Sequence, residues 1–258
     1  MTDSNAATRL KDIHAKLAQG RSDSILMQKV WAEVFGLPTD APQTEDWVVE
    51  AVVAFRMELE HARQQLDNIG VPSDLTNHVF TRLKHAASPT FLTQQWAHHK
   101  SALVGIENTL VLRWCDWALR TLGEAEIEAQ QFQSIKNHLA ELEQLLNEPD
   151  VPPAIREFVQ RQVNDIRSAL RLYPIHGLRV LRKAVDTATG AFTTPDDQVV
   201  AESQTATPAT KGVLRKSAEI LKEAAEVTGQ ADKLFTTLAK YAPALNGAMH
   251  VVVEALSK

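Results

Sequence analysis

A basic segment between residues 156 and 183 holds side chains that could bind phosphate. It contains seven Lys and Arg residues against two acids. A guanidinium donates paired hydrogen bonds to an oxyanion, so five arginines are candidate anion-binding residues: Arg156, Arg167, Arg171, Arg179 and Arg182. Residues 124–150 carry seven acids and one Lys, and two helices joined by a short loop normally pack antiparallel. The alternative, which we favour, is that these two segments pair their charges at the protein surface.

An arginine precedes a histidine by five positions at three places in the chain: Arg9–His14, Arg56–His61 and Arg171–His176. This spacing resembles the Arg-x4–6-His signature of the helical HEPN ribonucleases. The resemblance implies a histidine base and an arginine that stabilises phosphate charge. That family usually has a polar residue after the arginine, whereas an apolar residue follows each arginine here. We favour Arg171 and His176 among the three pairs, because a turn at Pro174 would aim both side chains into one concavity.

Two histidine-containing patterns could suggest a metal site. Glu58 and His61 have the Glu-x-x-His spacing that places two ligands on one helical face of di-iron bundles. Such sites need a second Glu-x-x-His, and the sequence has none. His98 and His99 are adjacent, so on a helix they point about 100° apart and chelate poorly. We therefore expect no metal and no other cofactor, and we interpret His99 as a hydrogen-bonded core residue.

Other catalytic signatures are missing. The sequence has no phosphate loop, no glycine-rich dinucleotide turn and no Gly-x-Ser-x-Gly elbow. The single cysteine, Cys115, cannot form an intrachain disulfide and lies in an apolar run, which predicts a small core residue. These observations favour a protein that acts by binding.

The composition is that of a globular chain. Of the 258 residues, 44% are hydrophobic and 23% are charged. With 10 Gly and 11 Pro, the chain has too few turn residues for a β-sandwich or β-barrel. A formal charge of −5 argues against general nucleic-acid binding. The first thirty residues contain no apolar leader, and no long uncharged apolar run occurs anywhere, so we expect a cytoplasmic protein without a membrane span.

Apolar residues recur at three- and four-residue spacings along almost the whole chain, which predicts an all-α multi-helix bundle with a C-terminal helical hairpin. One predicted helix has two apolar rows, from Leu92 to Leu110 and from Val104 to Leu122. A helix with two such rows is covered on more than one side, so we expect it at the centre of the bundle. A further helix carries a two-heptad row from Phe132 to Leu146.

The domain organisation follows from changes in composition. We expect a helical bundle over residues 1–190, a Thr/Ala/Gln-rich linker over 191–210 and an amphipathic helical tail over 211–258. The tail holds seven Lys and Arg against five acids, a net charge of +2, which leaves −7 for residues 1–210.

The tail carries an apolar row at helical spacing: Phe235, Leu238, Tyr241, Leu245, Met249, Val252 and Leu256. No Asp, Glu, Lys or Arg lies between Ala242 and Val253. A helix from Pro243 to Leu256 would be about 21 Å long, which is too short to cross a bilayer. The row could fold back on the bundle, pair with a second copy, dock on a partner or lie at a membrane surface.

The sequence therefore predicts a non-enzymatic interaction or regulatory protein whose tail mediates self-association, as in a homo-oligomer, or docking on a protein partner. We expect no nucleic-acid partner, and no small-molecule ligand can be identified from the sequence. Two alternatives stay open. One is a metal-independent HEPN-like ribonuclease that uses Arg171 and His176, and the other is a membrane-active effector that acts through the tail.

Overall fold

The computed structural model describes residues 4–241, with only the backbone at Tyr241. Over these residues the chain folds as an all-α multi-helix bundle without strands, as the periodicity predicts. None of the helices in this range is both long enough and apolar enough to cross a membrane. Among the described residues, the chain divides into two compact units. Unit 1 contains residues 4–126 and Pro174–Gly177, and unit 2 contains Ile127–Tyr173 and residues 178–241.

Unit 1 is built from six helices and several short 3-10 turns. The helices are α1 (Ala6–Leu17), α2 (Met27–Phe35), α3 (Thr44–Asn68), α4 (Asn77–Ala86), α5 (Lys100–Val104) and α6 (Ile106–Ala118). Asn5 begins α1 as its N-cap, because its side chain accepts a hydrogen bond from the Thr8 backbone N–H at 3.0 Å. Helix α1 packs against both α3 and α6 through a buried apolar face. It therefore lies at the centre of this unit.

Unit 2 contains the remaining helices of the described chain. They are α7 (Ala129–Leu146), α8 (Pro153–His176), α9 (Leu178–Thr193), α10 (Asp197–Gln204), α11 (Pro208–Thr228) and α12 (Ala231–Tyr241). The last turn of α8 groups with unit 1. Helix α11 packs on α7 and α9, and α12 packs on α9 and α11. The row of α7 from Ile135 to Leu146 is buried in this core, and Phe132 packs against it, so the heptad prediction is confirmed.

The prediction of one central helix over residues 92–122 is wrong. Helix α5 ends at Val104, and the extended ψ of 140° at Gly105 separates it from α6. Short 3-10 turns occupy much of the remaining segment. Leu103, Leu112 and Cys115 are buried, as expected for core residues. Ile106 and Leu110 instead face solvent. A spacing of three and four places residues on one face of a helix but does not determine whether that face is covered.

The division between the units lies after Glu126, whereas composition predicts one between residues 190 and 210. The segment 191–210 contains the end of α9, all of α10 and the start of α11, and Val199 of α10 is buried in the core of unit 2. Helices α11 and α12, the described part of the predicted tail, pack into the same core because their apolar faces close on α7 and α9. Residues 242–258 lie outside the described chain.

Candidate functional site

In the structure, His176 belongs to a buried cluster of charged and polar side chains. We define the Arg9 cluster as Arg9 of α1, Glu58 of α3, Glu124 and His176. The His176 Nδ1 lies 2.8 Å from Glu58 Oε2, and both residues are buried. Pro174 does not form the predicted turn, since it lies inside α8, which continues to His176. Burial against a carboxylate from another helix removes the basis for an open concavity at this histidine.

Arg9 contacts both carboxylates of the Arg9 cluster. Its Nη2 lies 2.7 Å from Glu58 Oε1, and its Nη1 lies 3.3 Å from Glu124 Oε2. Its Nε donates to Glu58 Oε1 and to the Ile175 carbonyl, each at 3.2 Å. The side chains of Arg9 and Glu58 are 6% and 0% exposed. Such complete burial leaves neither side chain open to a substrate.

Three of the five candidate arginines of the basic segment, Arg156, Arg167 and Arg182, contact groups of unit 2. The Nη2 of Arg156 donates to the carbonyls of Glu148 and Val151, and the Nε of Arg182 donates to the carbonyl of Thr228. Arg167 lies 2.5 Å from the Glu143 carboxylate. Arg171 and Arg179 also have interaction partners. The Arg167–Glu143 pair matches the paired-charge alternative, because Glu143 belongs to the acidic segment 124–150.

A metal site is not assembled from the described residues. Among residues 4–241, no three His, Cys, Asp or Glu side chains are grouped as metal ligands would be. Glu58, which begins the Glu-x-x-His pattern, is bound instead to Arg9 and His176.

A second buried histidine of unit 1, His14, lies on α1, and its Nε2 has no hydrogen-bond partner. Burial lowers the pKa of His14 from its ordinary value of 6.5, and a hydrogen bond with the Leu103 backbone opposes this shift in part. The folded chain therefore favours the neutral imidazole.

We expect this burial to make unit 1 less stable in acid. Stability from the neutral imidazole is fully present above pH 6.5 and is lost as the pH falls through the lowered pKa, because the unfolded chain then binds a proton that the folded chain excludes. The slope contributed by one such group is at most about 1.4 kcal/mol per pH unit. His14→Leu should flatten the dependence of the unfolding free energy on pH, measured by urea titration. An unchanged slope in the variant would contradict this assignment.

An exposed apolar row on α6 is the feature of the described chain that best fits a binding surface. We define the α6 row as Ile106, Leu110, Trp114 and Trp117, which are 69%, 58%, 37% and 59% exposed. Steps of four, four and three residues place these side chains on one helical face. The opposite face of α6, with Leu112 and Cys115, is buried. The Arg120 guanidinium lies 4.9 Å from the ring centroid of Trp117 and borders the row.

A smaller exposed row lies on α3, formed by Val49, Val53 and Met57. It contains no aromatic residue.

The predicted tail row divides at its start, because Leu238 is buried in the unit 2 core while Phe235 is half-exposed. The side chain of Tyr241 and all of Leu245, Met249, Val252 and Leu256 lie outside the described residues.

The sequence did not identify the α6 row as a surface, although a signal was present. Trp114 and Trp117 lie three residues apart, and neither belongs to the two predicted apolar rows that end at Leu110 and Leu122. Large apolar side chains outside a buried stripe are candidates for contact with another molecule.

Comparison with known proteins finds no family model, no curated protein and no solved structure that matches this chain.

Proposed function

We propose that this chain is a non-enzymatic helical interaction protein that self-associates through the α6 row, with the apolar segment 242–258 as a second contact surface. The observation that carries the proposal is the exposure of four large apolar side chains on one face of α6. Covering a side chain of this size stabilises a complex by roughly 1.5–3 kcal/mol relative to exposure. Tryptophan is also enriched among the residues that dominate binding energy at protein interfaces.

The order of residue sizes along the α6 row favours a second copy of the chain as its partner. The row begins with two aliphatic residues and ends with two tryptophans. In a twofold antiparallel pair, Ile106 faces the partner's Trp117 and Leu110 faces the partner's Trp114. Each of these facing pairs then combines a smaller side chain with a larger one. Such pairing fills an interface evenly.

The charges at the two ends of α6 support the same arrangement. Glu107 lies in the first turn, where Arg82 of α4 pairs with it at 2.9 Å on the exposed surface, and Arg120 follows the last turn. An antiparallel pair directs each Glu107 toward the partner's Arg120, so that opposite charges border the apolar layers. A parallel pair would place like charges together at both ends.

We expect Leu110→Glu to weaken the dimer at least about a hundredfold, because twofold symmetry buries two unpaired carboxylates in one interface. The measurement is molar mass by light scattering over a series of protein concentrations. Met57→Glu is the matched control, since Met57 is 60% exposed on α3 and Leu110 is 58% exposed on α6. This control should keep the wild-type mass.

Truncation after Tyr241 tests the second contact surface in the same assay. We expect it to lower the stability of the assembly without abolishing the effect of Leu110→Glu. A wild-type chain that stays monomeric at every concentration would contradict self-association. A dimer that tolerates Leu110→Glu would contradict the α6 row as its interface.

A further inference from the structure

A cavity in unit 1 has a lining suited to an anion. Its volume is about 360 Å³, and it is an open depression bordered by α3, α4 and residues 88–91. This volume falls in the range of small-molecule sites, which is about 300–1,000 Å³. The lining consists of three basic side chains, three hydroxyl side chains and one aromatic ring, without an acid: Arg56, Thr81, Lys84, His85, Ser88, Thr90 and Phe91.

The charge around this cavity is not cancelled by its nearest carboxylate. Glu60 forms ion pairs with Lys84 and, at 3.5 Å, with Arg63. The hydrogen bond from Lys84 lowers the pKa of Glu60, and the charges of Lys84, Arg63 and Arg56 lower it further. Arg56 and Lys84 are the permanent cations of the lining, and Glu60 offsets one of them, which leaves a net charge of +1 at the cavity.

Arg56 is held in position by a neutral partner. Its Nη1 donates to the backbone carbonyl of Lys84 at 2.5 Å. This bond fixes the guanidinium at the cavity wall without neutralising it, and the remaining N–H groups keep the planar geometry that matches phosphate oxygens. The hydroxyl groups of Ser88 and Thr90, 2.8 Å apart, add further donors on the facing segment.

Phe91 gives the cavity a fixed apolar wall. Its ring packs edge-on against His85, with centroids 5.2 Å apart, and stacks on His99 at 4.7 Å. His99 is buried and its Nε2 lies 2.7 Å from Gln94 Oε1, as predicted for a hydrogen-bonded core histidine. A ring held between two imidazoles is preorganised to contact a flat or apolar group of a ligand.

We propose that this cavity binds a small organic phosphomonoester, with its phosphate against Arg56, Lys84 and the hydroxyl groups and its apolar part against Phe91. The net positive charge of the lining attracts the negative charge of a phosphomonoester. The site is separate from the α6 row and does not depend on the proposed self-association.

Calorimetric titration of the full chain with phenyl phosphate, inorganic phosphate and phenol tests the proposal. We expect phenyl phosphate to bind more tightly than inorganic phosphate, and phenol not to bind. Arg56→Gln should weaken both phosphate probes at least about tenfold. Phe91→Leu should weaken phenyl phosphate alone. Lys84→Gln is a second charge variant at a half-exposed position, and we expect it to weaken both phosphate probes.

Arg63→Gln is the matched control, because Arg63 also pairs with Glu60 but does not line the cavity. It should keep its affinity for phenyl phosphate within about twofold. Equal losses in Arg56→Gln and Arg63→Gln would show general attraction to a basic surface and would overturn the proposal. A wild-type chain that binds neither phosphate probe at about millimolar concentration would also overturn it.

Discussion

Arg9→Met is expected to lower the unfolding free energy of unit 1 by about 3–5 kcal/mol. Glu58 is fully buried, and Arg9 supplies the 2.7 Å ion pair and a second hydrogen bond to the same carboxylate oxygen. Methionine fills much of the volume of the arginine stem but removes the cation that lies 2.7 Å from the Glu58 carboxylate. The cost of weakening the pairing of a buried carboxylate is larger than the modest net gain from forming the pair.

Intrinsic fluorescence measures this effect without interference from unit 2. All five tryptophans lie between residues 31 and 117, within unit 1. Urea titration followed by tryptophan emission therefore gives the stability of this unit. Lys100→Met is the control, because Lys100 and Asp23 form an exposed ion pair in the same unit. Its loss should change the free energy by no more than about 1 kcal/mol.

A double variant separates the ion pair from the packing of the two side chains. Removing Glu58 together with Arg9, as in Arg9→Met with Glu58→Leu, leaves no buried charge between α1 and α3. We expect this double variant to be at least about 2 kcal/mol more stable than the sum of the two single effects predicts. Strict additivity would show that the two residues act independently and would contradict the buried-pair explanation.

The helical class and the buried face of α7 could be predicted from the sequence, because both depend on local periodicity. The residues from Ile135 to Leu146 repeat at three and four, and the structure buries them. Periodicity predicted a wrong helix over residues 92–122 because it is also a purely local signal. It reports which residues share a face, but coverage of that face depends on distant elements, and α6 presents Ile106 and Leu110 to solvent.

The Arg9 cluster could not be assembled from local spacing. It takes Arg9 from one Arg-x4-His pair and His176 from another, and it joins them through Glu58, which belongs to neither. One signal was present in the sequence. Glu58 follows Phe55 by three positions and precedes Ala62 by four, so it lies on the buried face of α3. An acid at such a position requires a buried cation, but the sequence does not show which one.

The α6 row and the Arg56 cavity illustrate two further limits of sequence reasoning. Exposure of Trp114 and Trp117 depends on which neighbouring helices contact α6, and only its opposite face is buried. The cavity combines Arg56 with residues about thirty positions later on α4 and the following segment. Neither the exposed face nor the concavity produces a pattern of fixed spacing.

Gly177→Ala tests the close approach of backbone to the Arg9 cluster. Gly177 has a φ of +61°, and an added Cβ would lie 2.5 Å from Arg9 Nη1 and 2.7 Å from Glu124 Oε2. An alanine in the left-handed region costs about 1–2 kcal/mol by itself. The added methyl group also forces the ends of the Arg9 and Glu124 side chains to shift within the buried cluster, so we expect a total loss of about 3 kcal/mol or more.

Gly36→Ala isolates the backbone contribution to this loss. Gly36 ends α2 with a φ of +66°, close to that of Gly177, but an added Cβ would meet no atom within 4 Å. Both glycines belong to unit 1, so tryptophan fluorescence measures both variants under the same conditions. The additional loss in Gly177→Ala then gives the energy of displacing the ion cluster. Equal losses in the two variants would mean that Arg9 and Glu124 adjust without cost, and the cluster would not be the rigid contact inferred from its distances.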